Sequence, residues 1–535
     1  MKLTESYWSA TSETELLQST CASALRDAAA AEPDRVALIE GIPEQDARRR
    51  YTYAELLDES EKMARALLEQ FERGDHVAVW APNCPEWIIL QYGIALAGLV
   101  MVTVNPAYQP SELKYVLEQS RADGIFFATQ YRGNPMADIV AEVIPQIEGL
   151  KAAISLDEIE EFVGRGNPDR ILPDIQPSDP AMIQYTSGTT GFPKGARLNH
   201  YSLSNNGRLT ALLRNAGNGS IDISAMPCFH TGGCVAGTLA THQTLGTLVL
   251  AREFEPNLFL DLIEQEQANY TLCVPTMLVA LLEAQEIQPR DMSSMQIVLS
   301  GASTVPMELV KRIEEMMGIN FCILFGQTET SPVITMVRLH DSIKDKVETL
   351  GQPLDHTEVK IVDPETGETV PVGTVGELCT RGYLVMMDYF EMPEATAKTI
   401  DADGWLHTGD LCSMDERGFC YIEGRLKDMI IRGGENIYPR EIEEKLFEHE
   451  AIAEIAVVGI PDEKWGEQVG AFVRLNDGMS ASAEELHDYL RAHLAPQKTP
   501  KLWVQMAEFP MTGSGKIQKF KLAQMFSDGE IAPNM

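Results

Sequence analysis

Residues 185–195, YTSGTTGFPKG, bring three glycines, four aliphatic hydroxyls and one lysine into eleven positions. Gly188 and Gly191 permit positive φ, so successive backbone N–H groups can converge on one concavity that suits an anion. Thr186, Ser187, Thr189 and Thr190 add hydroxyl donors, and Lys194 adds a full positive charge. The chemistry such a segment offers is phosphate binding. It is not the P-loop arrangement, because neither Gly188 nor Gly191 stands at the required spacing from Lys194. Two further polar clusters, SGAS at 300–303 and GQTET at 326–330, follow apolar runs in the same way.

Elements must hold these clusters in place. AMIQY at 181–185 reads as the end of a buried strand, which sets the glycine-rich loop at a strand's carboxyl end. MQIVLSG (295–301) reads as a strand, PMELVKRIEEMMG (306–318) as a helix bounded by Pro306 and Gly318, and INFCILFG (319–326) as another strand. Strand, helix, strand implies a parallel sheet, and open α/β sheets bind ligands beyond the carboxyl ends of their strands. The apolar run at 87–104 is long enough to suggest a membrane span. Asn83, Pro85 and Glu86 instead mark a helix start, Gly98 its stop, and Val100, Val102 and Val104 a following strand. Beyond about residue 350 short strands with turn signals predict a β-rich subdomain, and from near Gly424 strands and a capped helix (Ser482 to Glu485) predict a small α+β domain. The fold class is therefore α/β, with a large N-terminal domain of parallel-type sheets.

The 535-residue chain is 44% hydrophobic and 23% charged, and is too long for one core. Asp and Glu outnumber Lys and Arg by 79 to 43, so the net charge of −36 repels nucleic acid and anionic membranes. Any polyanionic ligand must be held by local cations and backbone donors. Nine cysteines lack metal-site spacing, and MKLTESYWSATSETELL lacks the features of a signal peptide, so a cytoplasmic location is expected.

Taken together, YTSGTTGFPKG, PCFHTGG (227–233), LSGAS (299–303), FGQTET (325–330), GWLHTGD (404–410), GRLKDMIIRGGENIYPREIE (424–443) and GSGKIQK (513–519) occur in the order and spacing of the adenylate-forming superfamily. The chain resembles its acyl-CoA synthetases, the fatty-acid and aryl-acid CoA ligases, over nearly its whole length. The resemblance implies an adenylation domain over 1–425, with its β-rich part at about 350–425, and a mobile C-terminal domain over 426–535. It implies ATP and CoA as co-substrates, Mg2+ as cofactor and a carboxylic acid as substrate. Thr186 to Thr190 and Lys194 would hold the β and γ phosphates, and Gly301, Ala302 and Ser303 would lie against adenine and the acyl group. Phe325, Gly326, Gln327 and Thr328 complete the nucleotide wall, and Asp410 with Arg425 would hold the ribose. Glu329 would bind the metal with Thr186 close by, Lys516 would bridge the carboxylate and the α-phosphate, and His230 would line the acyl pocket.

The implied chemistry explains the cations. A carboxylate attacking the α-phosphorus brings like charges together, opposed by about 4 kcal/mol at 4 Å and an effective dielectric near 20. A metal and a positioned lysine would offset that and the charge developing on pyrophosphate. CoA must then reach the same carbonyl. In the family a rotation about a hinge, here Lys427, exchanges the lysine loop for IRGGENIYP; Gly433 and Gly434 would let the pantetheine arm pass, and Arg432, Lys498 and Lys501 are candidate phosphate contacts.

Two positions depart from the family pattern: Phe325 replaces the usual tyrosine, and Asp388 in MMDYF replaces a common glycine. The alternative enzyme reading is a free-standing adenylation enzyme that loads a carrier protein; an α-amino acid is disfavoured because Phe229 and His230 stand where that subclass has Asp. A non-catalytic nucleotide-binding scaffold is weakened by the presence of both Lys516 and Glu329. The apolar segments after His230 and at 274–282 favour a fatty, aryl or alicyclic acid. A homodimer stays open.

Overall fold

The computed structural model describes residues 2–186, 193–215, 217–301, 307–433, 435–462, 464–511 and 517–535, without the side chains of 307, 308 and 315–317. The glycine-rich stretch 187–192, residues 302–306, Gly434 and the lysine loop 512–516 lie outside the described residues.

Among the described residues the strands form four sheets. The first has a parallel core of Pro180–Thr186, Val100–Thr103, His76–Trp80, Gly124–Phe127 and Ala152–Ser155. Its other edge is antiparallel: Lys194–Asn199 returns beside Pro180–Thr186, and Asp388–Tyr389 pairs with Lys194–Asn199. The strands that flank residues 187–192 thus pair with each other antiparallel. In the second sheet Val36–Gly41, Thr247–Ala251, Ile221–Ser224, Tyr270–Cys273, Ile297–Ser300 and Asn320–Gly326 run parallel, with antiparallel strands at both edges.

Between the two sheets lies a layer of helices that includes Cys21–Ala31, Tyr53–Gln70 and Pro85–Ala97. The last is the helix inside the membrane-like run. It begins at Pro85, ends at left-handed Gly98, and all but Glu86 of its residues are buried, which is why its sequence is apolar on every side. No described helix is long and apolar enough to cross a membrane. The strand after it splits its side chains by the period of two. Val100 and Val102 pack on the outer face with Ile125 and Ile183, while Met101 faces the helix layer with Val77 and Val79.

The third sheet is antiparallel and contains Thr357–Val362, Gly376–Gly382, Leu406–Met414 and Cys420–Arg425, the β-rich part expected beyond residue 350. From Ile430 onward the chain buries its apolar residues in two clusters of its own, around strands Ile452–Asp462 and Gly466–Leu475. Helix Ala483–Arg491 carries the anticipated capping box between Ser482 and Glu485. The architecture is α/β with mixed sheets, plus a small α+β unit at the C-terminal end.

Candidate active site

A cavity of about 450 Å3 opens where parallel strands of the first two sheets end and the antiparallel sheet meets them. Thr186 and Lys194 reach it from the antiparallel pair Pro180–Thr186 and Lys194–Asn199, Gly301 and Gly326 from the ends of neighbouring strands, and Arg425 and Lys427 from the third sheet's last strand and the turn after it. This is the location at which open α/β sheets collect ligands.

Glu329 sits on the short helical turn Thr328–Thr330 directly after strand Asn320–Gly326. The turn is tight because Gln327 N–H donates to the Pro332 carbonyl at 2.9 Å and the Thr330 hydroxyl donates to the same oxygen at 2.8 Å. A Cβ on Gly326 would stand 1.9 Å from that oxygen, so the position requires glycine. Glu329 is buried, and its Oε1 accepts a hydrogen bond from the Tyr389 hydroxyl at 2.6 Å. The Lys194 ammonium lies 4.8 Å from the centre of the Tyr389 ring. Burial, then the negative charge of Glu329, drives the Tyr389 phenol far above its ordinary pKa, so it stays a proton donor.

Arg425, which also lines the cavity, forms an ion pair with Asp410, Nε to Oδ1 at 2.9 Å. Close by, Glu377 uses both oxygens: Oε1 accepts from Gly409 N–H at 3.0 Å and Oε2 lies 2.7 Å from His407 Nδ1. That contact raises the His407 pKa. Lys427, on the turn Leu426–Asp428, is lowered by burial first and by the neighbouring Arg425 charge second. Lys398 also lines the cavity and is exposed. Among the described residues, Glu377, Cys379 and His407 are the group whose ligand atoms cluster closely, all within 4.8 Å of one another. His230 is not part of it: its Nδ1 accepts from Gly232 N–H at 3.2 Å, so the neutral ring carries its hydrogen on Nε2. Cys228 and Cys234 are buried thiols raised by desolvation.

Met226, Phe229, Ala236, Leu272, Val274 and Leu324 give the lining its apolar part, and Ala236 belongs to the π-helical stretch Gly232–Leu239. For a divalent cation, the cavity offers the Glu329 carboxylate and the Thr186 hydroxyl. Such hard oxygen donors fit Mg2+.

Of the residues singled out from sequence, the structure brings Thr186, Lys194, His230, Gly301, Gly326, Gln327, Thr328, Glu329, Arg425 and Lys427 to this cavity. Asp410 stands beside it through Arg425 and Gly409. Phe325 is not among the lining residues. Strand alternation turns Leu324 and Gly326 to the cavity, and Phe325 packs half-buried against the core of the second sheet. Ser187, Gly188, Thr189, Thr190, Ala302, Ser303, Gly434 and Lys516 fall outside the described residues, although Met511 and Ile517 pair across the base of the lysine loop.

The expected CoA contacts lie elsewhere. Arg432 donates to Gln468 at 2.9 Å and its guanidinium lies 5.0 Å from the centre of the Trp465 ring, while Gly433, at φ +62°, donates to the Trp465 carbonyl at 2.8 Å. Lys498 is paired with Glu441 at 2.5 Å. Sequence reasoning missed Tyr389, Glu377, His407 and Lys398. The histidine lay inside the quoted GWLHTGD, but its partner Glu377 is cross-strand and has no local signal.

The family profile described as AMP-binding enzyme matches residues 25–390, and that of the AMP-binding enzyme C-terminal domain matches 441–516. A Bacillus subtilis (strain 168) chain provisionally named acyl-CoA synthetase is 40% identical over 539 residues, covering 95% of this chain and 97% of the relative. A mitochondrial medium-chain acyl-CoA ligase of Bos taurus is 36% identical over 523 residues, covering 90% and 85%. The solved o-succinylbenzoate CoA synthetase of Bacillus subtilis, in complex with its acyl-adenylate intermediate, superposes with a TM-score of 0.82 at 29% identity, covering 93% and 97%.

Proposed function

The chain belongs to the family of adenylate-forming, AMP-binding enzymes, and from that premise we propose that it is an ATP-dependent acyl-CoA synthetase. It converts a carboxylic acid, ATP and CoA into acyl-CoA, AMP and pyrophosphate through an acyl-adenylate. The observation that carries the reading is the convergence of Glu329, Lys194 and Arg425 on one cavity that is also lined by Met226, Phe229, Ala236, Leu272 and Val274. The same cavity is lined by the cations Lys194, Lys398, Arg425 and Lys427, which support triphosphate binding, and by apolar side chains, which support an acyl group.

In the first half-reaction a carboxylate oxygen of the acid attacks the α-phosphorus, and the bond to the β-phosphate oxygen breaks as pyrophosphate leaves. Thr186 to Thr190 and Lys194 hold the β and γ phosphates. Gly301 to Ser303 and Gly326 to Thr328 wall the nucleotide, and Asp410 with Arg425 holds the ribose hydroxyls. Glu329, with Thr186, would hold Mg2+, which would supply charge neutralisation at the phosphates. Lys516 bridges the carboxylate and the α-phosphate, and His230 lines the acyl pocket beside them. In the second half-reaction the CoA sulfur attacks the acyl carbonyl, its proton is lost and AMP leaves. A rotation of residues 426–535 about Lys427 separates the two steps and brings Arg432, Gly433 and Gly434 to the site, with Lys498 toward the CoA phosphates.

Met226, Ala236, Leu272 and Val274 support an apolar monocarboxylic acid, and the medium-chain specificity in the name of the 36% identical relative supports an aliphatic one. All nine cysteines are free, which supports a reducing compartment such as the cytoplasm. The test is AMP production from purified protein across a panel of acids with and without CoA. Medium-chain acids should give the highest CoA-dependent rates; a preference for dicarboxylic or amino acids would contradict the substrate class.

A further inference from the structure

Glu329 alone does not decide where its oxygens point. Oε1 is held by the Tyr389 hydroxyl at 2.6 Å, and Oε2 takes no hydrogen bond among the described residues. Tyr389 is itself 5% exposed and doubly anchored. Its backbone N–H donates to the Thr396 hydroxyl at 3.0 Å, and its strand pairs with Lys194–Asn199, so that Tyr389 opposes Ala196 and Asp388 opposes Arg197. The Asp388 carboxylate accepts from Arg197 Nε at 3.0 Å, which gives the residue that departs from the family's glycine a defined task. Just before this strand, Met386 N–H donates to the Glu329 carbonyl at 2.8 Å. One short segment therefore grips both the backbone and the side chain of Glu329, and its phenol ring lies against Lys194 at the start of strand Lys194–Asn199.

We propose that Tyr389 is a positioning residue: it fixes the Glu329 carboxylate so that one oxygen is presented to the divalent cation, and it ties that carboxylate to Lys194. The inference rests on the reading of Glu329 as metal ligand. Mg2+ demands near-ideal octahedral geometry from few carboxylates, so a ligand free to rotate binds it worse. Removing a group that orients a ligating side chain typically lowers metal affinity about 10- to 100-fold.

The test is Tyr389→Phe, which deletes one oxygen and keeps the ring against Lys194. Binding of Mn2+ in the presence of ATP, followed by electron paramagnetic resonance, should weaken about 10-fold, within the same range. The Mg2+ concentration giving half-maximal acid-dependent pyrophosphate exchange should rise in parallel, with the KM of the acid at saturating Mg2+ unchanged. Unaltered metal affinity and an unaltered Mg2+ midpoint would overturn the proposal, whatever the effect on kcat. Should that variant not fold, Tyr389→Met, which also withdraws the hydroxyl from Glu329 Oε1, carries the same test with the same two outcomes. Glu329→Gln separates the levels: if it leaves Mn2+ affinity intact, the metal assignment itself fails, and if it abolishes affinity while Tyr389→Phe does not, only the positioning role fails.

Discussion

Arg425 and Asp410 face each other as cross-strand partners of an antiparallel pair, joined Nε to Oδ1 at 2.9 Å, with the aspartate side chain 4% exposed and the arginine 44%. A nearly buried carboxylate is thus held by a cation that still borders the cavity, and a carboxylate's two oxygens can accept from more than one donor, a ribose hydroxyl among them. If the ribose is such a donor, Asp410→Ala should raise the KM for ATP about 10- to 100-fold, the scale of one lost charged hydrogen bond. The KM of the acid should barely change. Steady-state kinetics varied separately in ATP and acid checks this.

The two half-reactions should respond differently to changes at the C-terminal end. Lys516→Ala should lower acid-dependent pyrophosphate exchange by about 10³-fold or more, as expected for a lost preorganised cation, and leave CoA transfer from supplied acyl-adenylate largely intact. Lys427→Pro, which fixes φ in the turn after Arg425, should slow thioester formation more than adenylation. Separate assays of the two steps distinguish these outcomes, and equal loss of both steps in both variants would contradict domain alternation.

Ala236 is 1% exposed and lines the cavity from the π-helical stretch. Adding three carbons there shortens the space for the acyl chain. Ala236→Leu should raise the KM of medium-chain acids about 10-fold and of short acids much less, since one methylene is worth about 1 to 3 kcal/mol of discrimination. Kinetics across a series of straight-chain acids measures it.

Stability should fall in mild acid. His242 is buried, with Nδ1 accepting from the Tyr92 hydroxyl at 2.7 Å and Nε2 3.1 Å from the Ala37 carbonyl oxygen, an arrangement the neutral ring satisfies. Burial lowers its pKa to about 4, and does the same to His200. Both folded values lie below the ordinary histidine value, so the unfolded chain binds more protons. The stability they leave intact above about pH 6.5 is lost as pH falls towards 4. His407 has the opposite sign: its raised pKa adds stability below about pH 6.5 that fades as pH rises. Thermal midpoints between pH 7 and pH 4 should therefore decline, and His242→Gln should flatten the decline.

Local signals were legible where the physics is local. Pro85 and Gly98 bounded a buried helix, Ser482 and Glu485 capped another, and alternation marked Val100–Thr103. The site was legible as motifs because each lies at an element's end. What could not be read depends on pairing between distant segments. Lys194–Asn199 returns antiparallel to Pro180–Thr186, and Tyr389 reaches Glu329 across 60 residues of chain. Glu377 meets His407 across a strand pair 30 residues apart. Phe325 packs half-buried against the core of the second sheet, a contact between segments distant in sequence that no local signal announces.

The account stands on attack by the acid's own oxygen at the α-phosphorus. With an acid labelled in both carboxylate oxygens by oxygen-18, and with ATP and CoA, mass spectrometry of the released AMP measures that step directly. One labelled oxygen in each AMP is predicted, because the new phosphorus–oxygen bond survives when the thiol displaces AMP from the acyl carbon. Unlabelled AMP, or label recovered in inorganic phosphate, would contradict it.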